Sequence, residues 1–153
     1  MLRDVIDADL PIFFEQQLDA NANQMAAFTA ENPSDRAAFD AHWARIRSDA
    51  AILIKTIVHD DKVAGYIASF VMFEQLQVAY WLGRDFWGKG IASRALTAFL
   101  KAQTTRPLYG RVAKDNLGSI RVLEKCGFVL IDEERAFATA RGEEIDEVIL
   151  VLR

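Results

Sequence analysis

The segment Tyr80-Trp81-Leu82-Gly83-Arg84-Asp85-Phe86-Trp87-Gly88-Lys89-Gly90-Ile91-Ala92-Ser93 constrains the fold more than any other stretch. It reads as a strand that runs into a glycine-rich turn and opens a helix. Ala92, Ala95, Leu96, Phe99 and Leu100 recur at i, i+3, i+4, i+7 and i+8, one continuous apolar face that anchors the helix in a core. Glycine lets a backbone approach an anion with no Cβ in the way. The unpaired N–H groups and positive dipole end of the helix then point at that anion, so the turn suits a phosphate.

Two nucleotide motifs fit this turn only in part. Gly83, four residues, then Gly88-Lys89 has P-loop spacing, but Gly90 stands where that motif needs a hydroxyl to hold magnesium. Gly88 and Gly90 match the first two glycines of the dinucleotide fingerprint. Ser93 then takes the place of the third small residue, and no strand-helix-strand unit precedes it. Taken alone, the glycines are also compatible with a tight turn and no ligand.

A second stretch, Asp115-Asn116-Leu117-Gly118-Ser119-Ile120-Arg121-Val122-Leu123-Glu124-Lys125-Cys126-Gly127-Phe128, narrows the reading. Gly-Lys-Gly-Ile-Ala, followed about two dozen residues later by Asn-x-x-Ser-x-Arg-Val-Leu-Glu-Lys-x-Gly-Phe, resembles the GNAT superfamily of acetyl-CoA-dependent N-acetyltransferases. Within it, the chain is most similar to the branch of ribosomal-protein N-terminal alanine acetyltransferases. The likeness spans about Ile52 to Leu152.

Composition agrees with a small enzyme. The 153 residues suit a single domain, 1–153, and 52% hydrophobic with 26% charged is ordinary globular usage. A net charge of −4 argues against a nucleic-acid surface. No apolar run reaches membrane-helix length, and Met1-Leu2-Arg3-Asp4 leads into no signal-like apolar core, so the expected location is cytoplasmic, with no membrane partner. One cysteine, Cys126, forms no internal disulfide, and with only His42 and His59 no metal site is expected. The expected partners are acetyl-CoA and an amine acceptor, with a homodimer compatible with both.

Pattern along the chain predicts strands at Leu2–Ile6, Ala51–Val58, Val63–Phe73, Gln75–Leu82, Leu108–Val112, Phe128–Ala138 and Glu144–Leu152. Helices are expected at Leu10–Leu18, after a break and cap at Asn32-Pro33-Ser34, after the glycine turn, and over Asn116–Cys126 with Asn116 or Asp115 as its cap and Gly127 as its stop. His59-Asp60-Asp61-Lys62 and Arg141-Gly142 read as hairpin turns. The fold class is α/β in the α+β sense: a mixed, mostly antiparallel sheet of about six to seven strands with helices on both faces, as the resemblance implies.

The resemblance also implies a cofactor site. The pyrophosphate of acetyl-CoA would sit on the backbone of Gly88, Lys89, Gly90, Ile91, Ala92 and Ser93, while Trp81, Leu82 and Gly83 would offer main-chain groups to the pantetheine arm like an added strand. Lys89 reads equally well as a solvated surface lysine. Asn116 and Ser119 match coenzyme-contacting positions, although Asn116 is also a good helix cap.

Catalysis is where the chain departs from its relatives. Many place a tyrosine acid seven residues after the Asn, and here that position is Leu123, leaving Ser119 as a weak substitute. Cys126 reads as a small buried hydrophobe. Gln77 stands where a glutamate base is common, and an amide cannot accept a proton at neutral pH. Alternation puts Gln75, Gln77, Ala79 and Trp81 on one face of their strand and Glu74 on the wrong parity unless a bulge intervenes, and the candidate catalytic residues are Glu74, Gln77 and Ser119. His42, beside Trp43, reads as structural or surface.

Without a dedicated base the acceptor should have a low pKa. A lysine side chain near about 10.4 is only about 0.1% neutral at pH 7.5, whereas an α-amine near about 7.8 is roughly a third neutral. Phe70, Phe73, Tyr80, Trp81 and Phe137 are aromatics available to line an acceptor pocket. The alternative of another class is a non-catalytic acetyl-CoA-binding regulatory domain.

Overall fold

The computed structural model describes residues 1–153. In chain order it contains β1 (Leu2–Arg3), α1 (Leu10–Gln17), α2 (Ala20–Ala26), α3 (Arg36–Ser48), β2 (Leu53–His59), β3 (Lys62–Met72), β4 (Gln75–Leu82), α4 (Ile91–Ala102), β5 (Leu108–Ala113), α5 (Leu117–Lys125), β6 (Val129–Ala138) and β7 (Glu143–Leu152). The strands form one seven-stranded sheet in the order β1-β2-β3-β4-β5-β7-β6. Every neighbouring pair is antiparallel except β4 and β5. No helix is long and apolar enough to cross a membrane.

Alternation along the strands decides which side chains meet which helices. Ile67, Val78, Leu82, Leu108, Val112, Val148 and Leu150 pack against Ile91, Ala95, Leu96 and Phe99 of α4 and Leu123 of α5 in the main core. Each large side chain buried there contributes about 1.5–3 kcal/mol. On the opposite face Phe13 of α1 stacks on Trp43 of α3 with ring centroids 4.9 Å apart, and Tyr66 of β3 meets both edge-on. Farther along that face Ala27, just past α2, packs with Ala113 of β5 and Ala138 of β6.

Three local expectations change. The first strand ends at Arg3 rather than Ile6 because the chain is pulled out of the sheet by Asp9. Its buried carboxylate takes both Arg3 Nη atoms (2.7 and 2.8 Å), the Ile6 N–H (3.0 Å) and the Thr56 hydroxyl (2.7 Å). Helix α2 is additional; Asp19 caps it by accepting from the amides of Asn21 and Ala22. The cap of α3 is Asp35, which accepts from the Ala38 amide, whereas Asn32 accepts from Ser34 in the preceding turn. Strand β4 has the predicted bounds, and the other elements agree to within two residues at either end.

Candidate active site

The sheet opens at one place. Strand β4 pairs with β3 from Gln75 through Leu82, and β5 pairs with β7 from Leu108 through Ala113. Between β4 and β5 there is a single ladder pair, Gln77 with Tyr109. Beyond that point the two parallel strands diverge, leaving a fork with backbone groups unpaired on both sides. The Gly83 N–H is spent on Ala64 O of β3 (2.9 Å). Alternation of ladder bonds therefore turns the main-chain groups of Tyr80 and Leu82 toward the fork. The Leu82 carbonyl accepts from the Trp87 indole at 3.1 Å, which fits that direction. Of the Trp81-Leu82-Gly83 trio, Leu82 offers its backbone to the fork, while the Trp81 indole donates to Gln16 O of α1.

The glycine turn closes the end of the fork. Gly88 and Gly90 both have φ of 73°, the left-handed region that glycine enters without penalty. A Cβ on Gly88 would meet nothing within 4 Å, so the turn is open on that side. The first backbone bond of α4 runs from Arg94 N to Gly90 O, which leaves the amides of Ile91, Ala92 and Ser93 without intrahelical partners. Helices α2, α3 and α5 are capped by the side chains of Asp19, Asp35 and Asn116; α1 has no side-chain cap, and neither does α4. Its N-terminus is thus left free for an anion, with Lys89 exposed beside it and the Arg94 guanidinium at 3.0 Å from where a Gly90 Cβ would stand.

Helix α5 lines the other side. Asn116 caps it, accepting from the Ser119 amide at 3.3 Å. Ser119 Oγ lies 3.0 Å from the hydroxyl of Tyr80, which reaches across from β4. Burial pushes the Tyr80 hydroxyl pKa up, with the Ser119 hydrogen bond opposing the rise. Leu123, where the tyrosine acid of relatives would be, is buried against Gly110 of β5; a Cβ there would come within 2.9 Å of its Cδ1. Cys126 Sγ sits between α5 and α4, 3.6 Å from Thr97 Oγ1, and packs at the core edge as a small hydrophobe.

On the opposite face of the fork, Gln77 is buried and donates to Met72 O (3.3 Å) and Gln75 Oε1 (3.4 Å). Glu74 is exposed at the tip of the β3–β4 hairpin and makes no hydrogen bond to Gln77, whose amide goes to Met72 and Gln75. His42 is on the exposed side of α3, edge-on to Trp43, whose ring packs against Tyr66 of β3. The predicted aromatic lining is scattered. Tyr80 faces α5, Phe137 is exposed on the edge strand, Phe70 pairs with Gln77 across the β3–β4 ladder, and Phe73 covers Arg111.

That arginine belongs to a cluster the pattern reading did not single out. Arg111 Nη1 bridges Glu134 Oε2 of β6 and Glu147 Oε1 of β7, each at 3.1 Å, and its Cζ lies 4.6 Å from the Phe73 ring centroid. Its Nε is buried with no partner. Glu147 is 8% exposed, and burial raises its carboxyl above the ordinary glutamate range against the pull of Arg111, with Glu134 adding to the rise. One signal for it was present: Glu147 shares the parity of Ile149 and Val151, so a charge stands on the inward side of a buried strand.

The fork between two parallel strands, closed by an uncapped glycine-rich helix start, lies where the resemblance implies the coenzyme. A solved ribosomal-protein-alanine N-acetyltransferase from Brucella melitensis superposes with a TM-score of 0.82, at 18% identity over 99% of this chain and 98% of its own. RimJ of Mycobacterium smegmatis, solved with CoA-disulfide, gives 0.81 at 20% identity over 99% and 80%. A phosphinothricin acetyltransferase from Sinorhizobium meliloti, solved with AcCoA, gives 0.81 at 19% over 99% and 86%. A search of curated protein sequences finds no match. The model of the acetyltransferase (GNAT) domain matches residues 1–129, and the chain belongs to that family as an acetyl-CoA-dependent N-acetyltransferase.

Proposed function

We propose that the protein transfers the acetyl group of acetyl-CoA to a primary amine of low pKa, such as the α-amine of a peptide N-terminus or of a small molecule. The observation that carries the coenzyme half is the uncapped start of α4 beside left-handed Gly88 and Gly90, continuous with the β4–β5 fork. The pyrophosphate rests on the amides from Gly88 to Ser93. The pantetheine arm lies in the fork as an extra strand against Leu82 and Tyr80, with Asn116 and Ser119 bordering it from α5. The acceptor enters from the face of Gln77, Tyr109 and Arg111.

The reaction needs the amine nitrogen to attack the thioester carbon, so that the C–N bond forms and the C–S bond breaks. The leaving thiolate takes a proton. The Tyr80 and Ser119 hydroxyls, 3.0 Å apart at the fork, are suited to pass it, filling the role for which Leu123 has no group. Gln77, a neutral amide, holds the hairpin and moves no proton.

The test is a thiol-release assay with acetyl-CoA against α-amines and lysine side-chain analogues, preceded by melting curves. Acetyl-CoA at about 100 times its Kd should add about 2.7 kcal/mol, a rise of roughly 5–11 °C for a chain of this size, whereas ATP or NAD should add nothing. Release faster with α-amines than with lysine analogues supports the reading. Binding without turnover on any amine would instead establish a regulatory acetyl-CoA-binding domain.

A further inference from the structure

Resting on the acetyl-transfer part of that reading and not on its low-pKa acceptor, which was argued from the lack of a base on β4, we propose that Glu147 is the catalytic base: its free oxygen takes the proton from the acceptor's ammonium, while Arg111 holds the carboxylate in place and Glu134 shares the ammonium's charge.

The placement comes from strand register. Tyr109 marks the vertex of the fork, and Arg111 is two residues further along β5 on the same face. Gly110, between them, faces α5 through Leu123, so Arg111 projects to the side opposite the coenzyme. Glu147 lies opposite Ala113 in the β5–β7 ladder and reaches back to Arg111, and Glu134 lies opposite Glu147 on β6. The site therefore borders the fork on the face where an acceptor would approach a thioester.

The two buried acidic side chains of the fold differ in how they are satisfied. Asp9 takes four hydrogen bonds and has nothing left to offer. Glu147 takes one, on Oε1 from Arg111, and its Oε2 takes none. One guanidinium against two carboxylates also leaves the cluster one negative charge in excess when both are ionised, the complement of an ammonium group. Arg111 cannot readily turn away, because Phe73 lies over it. Phe73 and Glu74 hold φ of 55° and 60°, a strained conformation for side-chain-bearing residues that keeps the ring at the hairpin tip. The titratable groups facing Glu147 are Arg111 from β5 and Glu134 from β6; α2 and the residue after it bring uncharged Ala27 to this end of the sheet.

The step balances as follows. An ammonium gives one proton to Glu147 Oε2 and becomes a neutral amine, whose lone pair forms the C–N bond as the C–S pair leaves with sulfur. The nitrogen's second proton ends on the thiolate through the Tyr80–Ser119 hydroxyls and intervening solvent. Glu147 then returns its proton to water, so each turnover releases one proton.

The test compares kcat/KM against pH for wild type, E147Q and E134Q with one α-amine, together with acetyl-CoA Kd by calorimetry. E147Q should lose about 100-fold at pH 7 and lose the enzyme's own acid inflection, so that the rate climbs only with the amine's deprotonation. E134Q should retain that inflection but move it to lower pH. Acetyl-CoA Kd should not change in E147Q. The folded protein binds the Glu147 proton more tightly than the unfolded chain, so its contribution favours folding below the unfolded glutamate pKa and is lost as pH rises through the raised one. E147Q should therefore melt no lower than wild type at pH 7. An active wild type whose profile survives E147Q overturns this inference alone; a wild type that binds acetyl-CoA and acetylates no amine overturns it along with the functional reading. Should E147Q fail to fold, ¹³C NMR of the wild-type carboxyl decides. A Glu147 that titrates in the ordinary glutamate range, unmoved by saturating amine, refutes the role, and an elevated value that shifts on amine binding supports it.

Discussion

Replacing Gly110 by alanine tests whether the fork depends on the contact between β5 and α5. The added Cβ would fall 2.9 Å from Leu123 Cδ1 and 3.3 Å from its Cδ2. Leu123 is 3% exposed and packed into the main core, so its side chain has no empty space to rotate into. Normal carbon contacts of about 3.5–4.0 Å then require α5 to move off the sheet by roughly half an ångström to an ångström. Overpacking of this kind costs about 1–3 kcal/mol, which corresponds to a fall in Tm of roughly 2–12 °C for a domain of this length. The helix that moves carries Asn116 and Ser119, so acetyl-CoA should bind more weakly as well. Differential scanning fluorimetry and calorimetric titration of Gly110→Ala, Leu123→Val and the double variant form a cycle. The shorter valine should relieve the clash, giving a coupling of about 0.5–3 kcal/mol. Additive effects, or a Gly110→Ala protein with wild-type Tm and Kd, would refute the argument that close β5–α5 approach shapes the site.

Gly90→Val should weaken acetyl-CoA binding by about 2 kcal/mol, because a β-branched residue at φ 73° is strained and its methyls enter the space left for phosphate; unchanged binding in calorimetry would make the turn purely structural. Asp9→Asn should lower stability by about 2–3 kcal/mol at pH 7, near the low end for a broken buried pair because Arg3 is a third exposed. Burial raises the Asp9 carboxyl, but the Arg3, Ile6 and Thr56 hydrogen bonds outweigh it and hold the pKa below the ordinary value. Its stabilisation is therefore present above the unfolded carboxylate pKa of about 3.9 and lost as pH falls through the lowered one. Urea unfolding of wild type and variant should converge under acid conditions, and a gap that persists at the lowest accessible pH would contradict this assignment.

The elements around the proposed coenzyme site were legible because their signals are local. The apolar stripe of α4, the bounds of β4, the glycine turn and the Asn116 cap each depend on residues within a few positions of one another, and backbone geometry converts that spacing directly into a face or a turn. Parity alone likewise put Gln77 and Trp81 on one side of β4. The shortened β1 and the caps of α2 and α3 escaped, because several Asp and Asn residues compete for each helix start and only packing chooses among them. The proposed acceptor side was out of reach for a deeper reason. Arg111 and Glu147 are 36 residues apart, and Tyr80 and Ser119 are 39 apart. Whether they touch depends on β7 inserting between β5 and β6, on the register of each ladder and on the single β4–β5 pair that opens the fork. Spacing along a chain sets which way a side chain faces; which other side chain it meets is decided by strand order and register, which are properties of the assembled sheet.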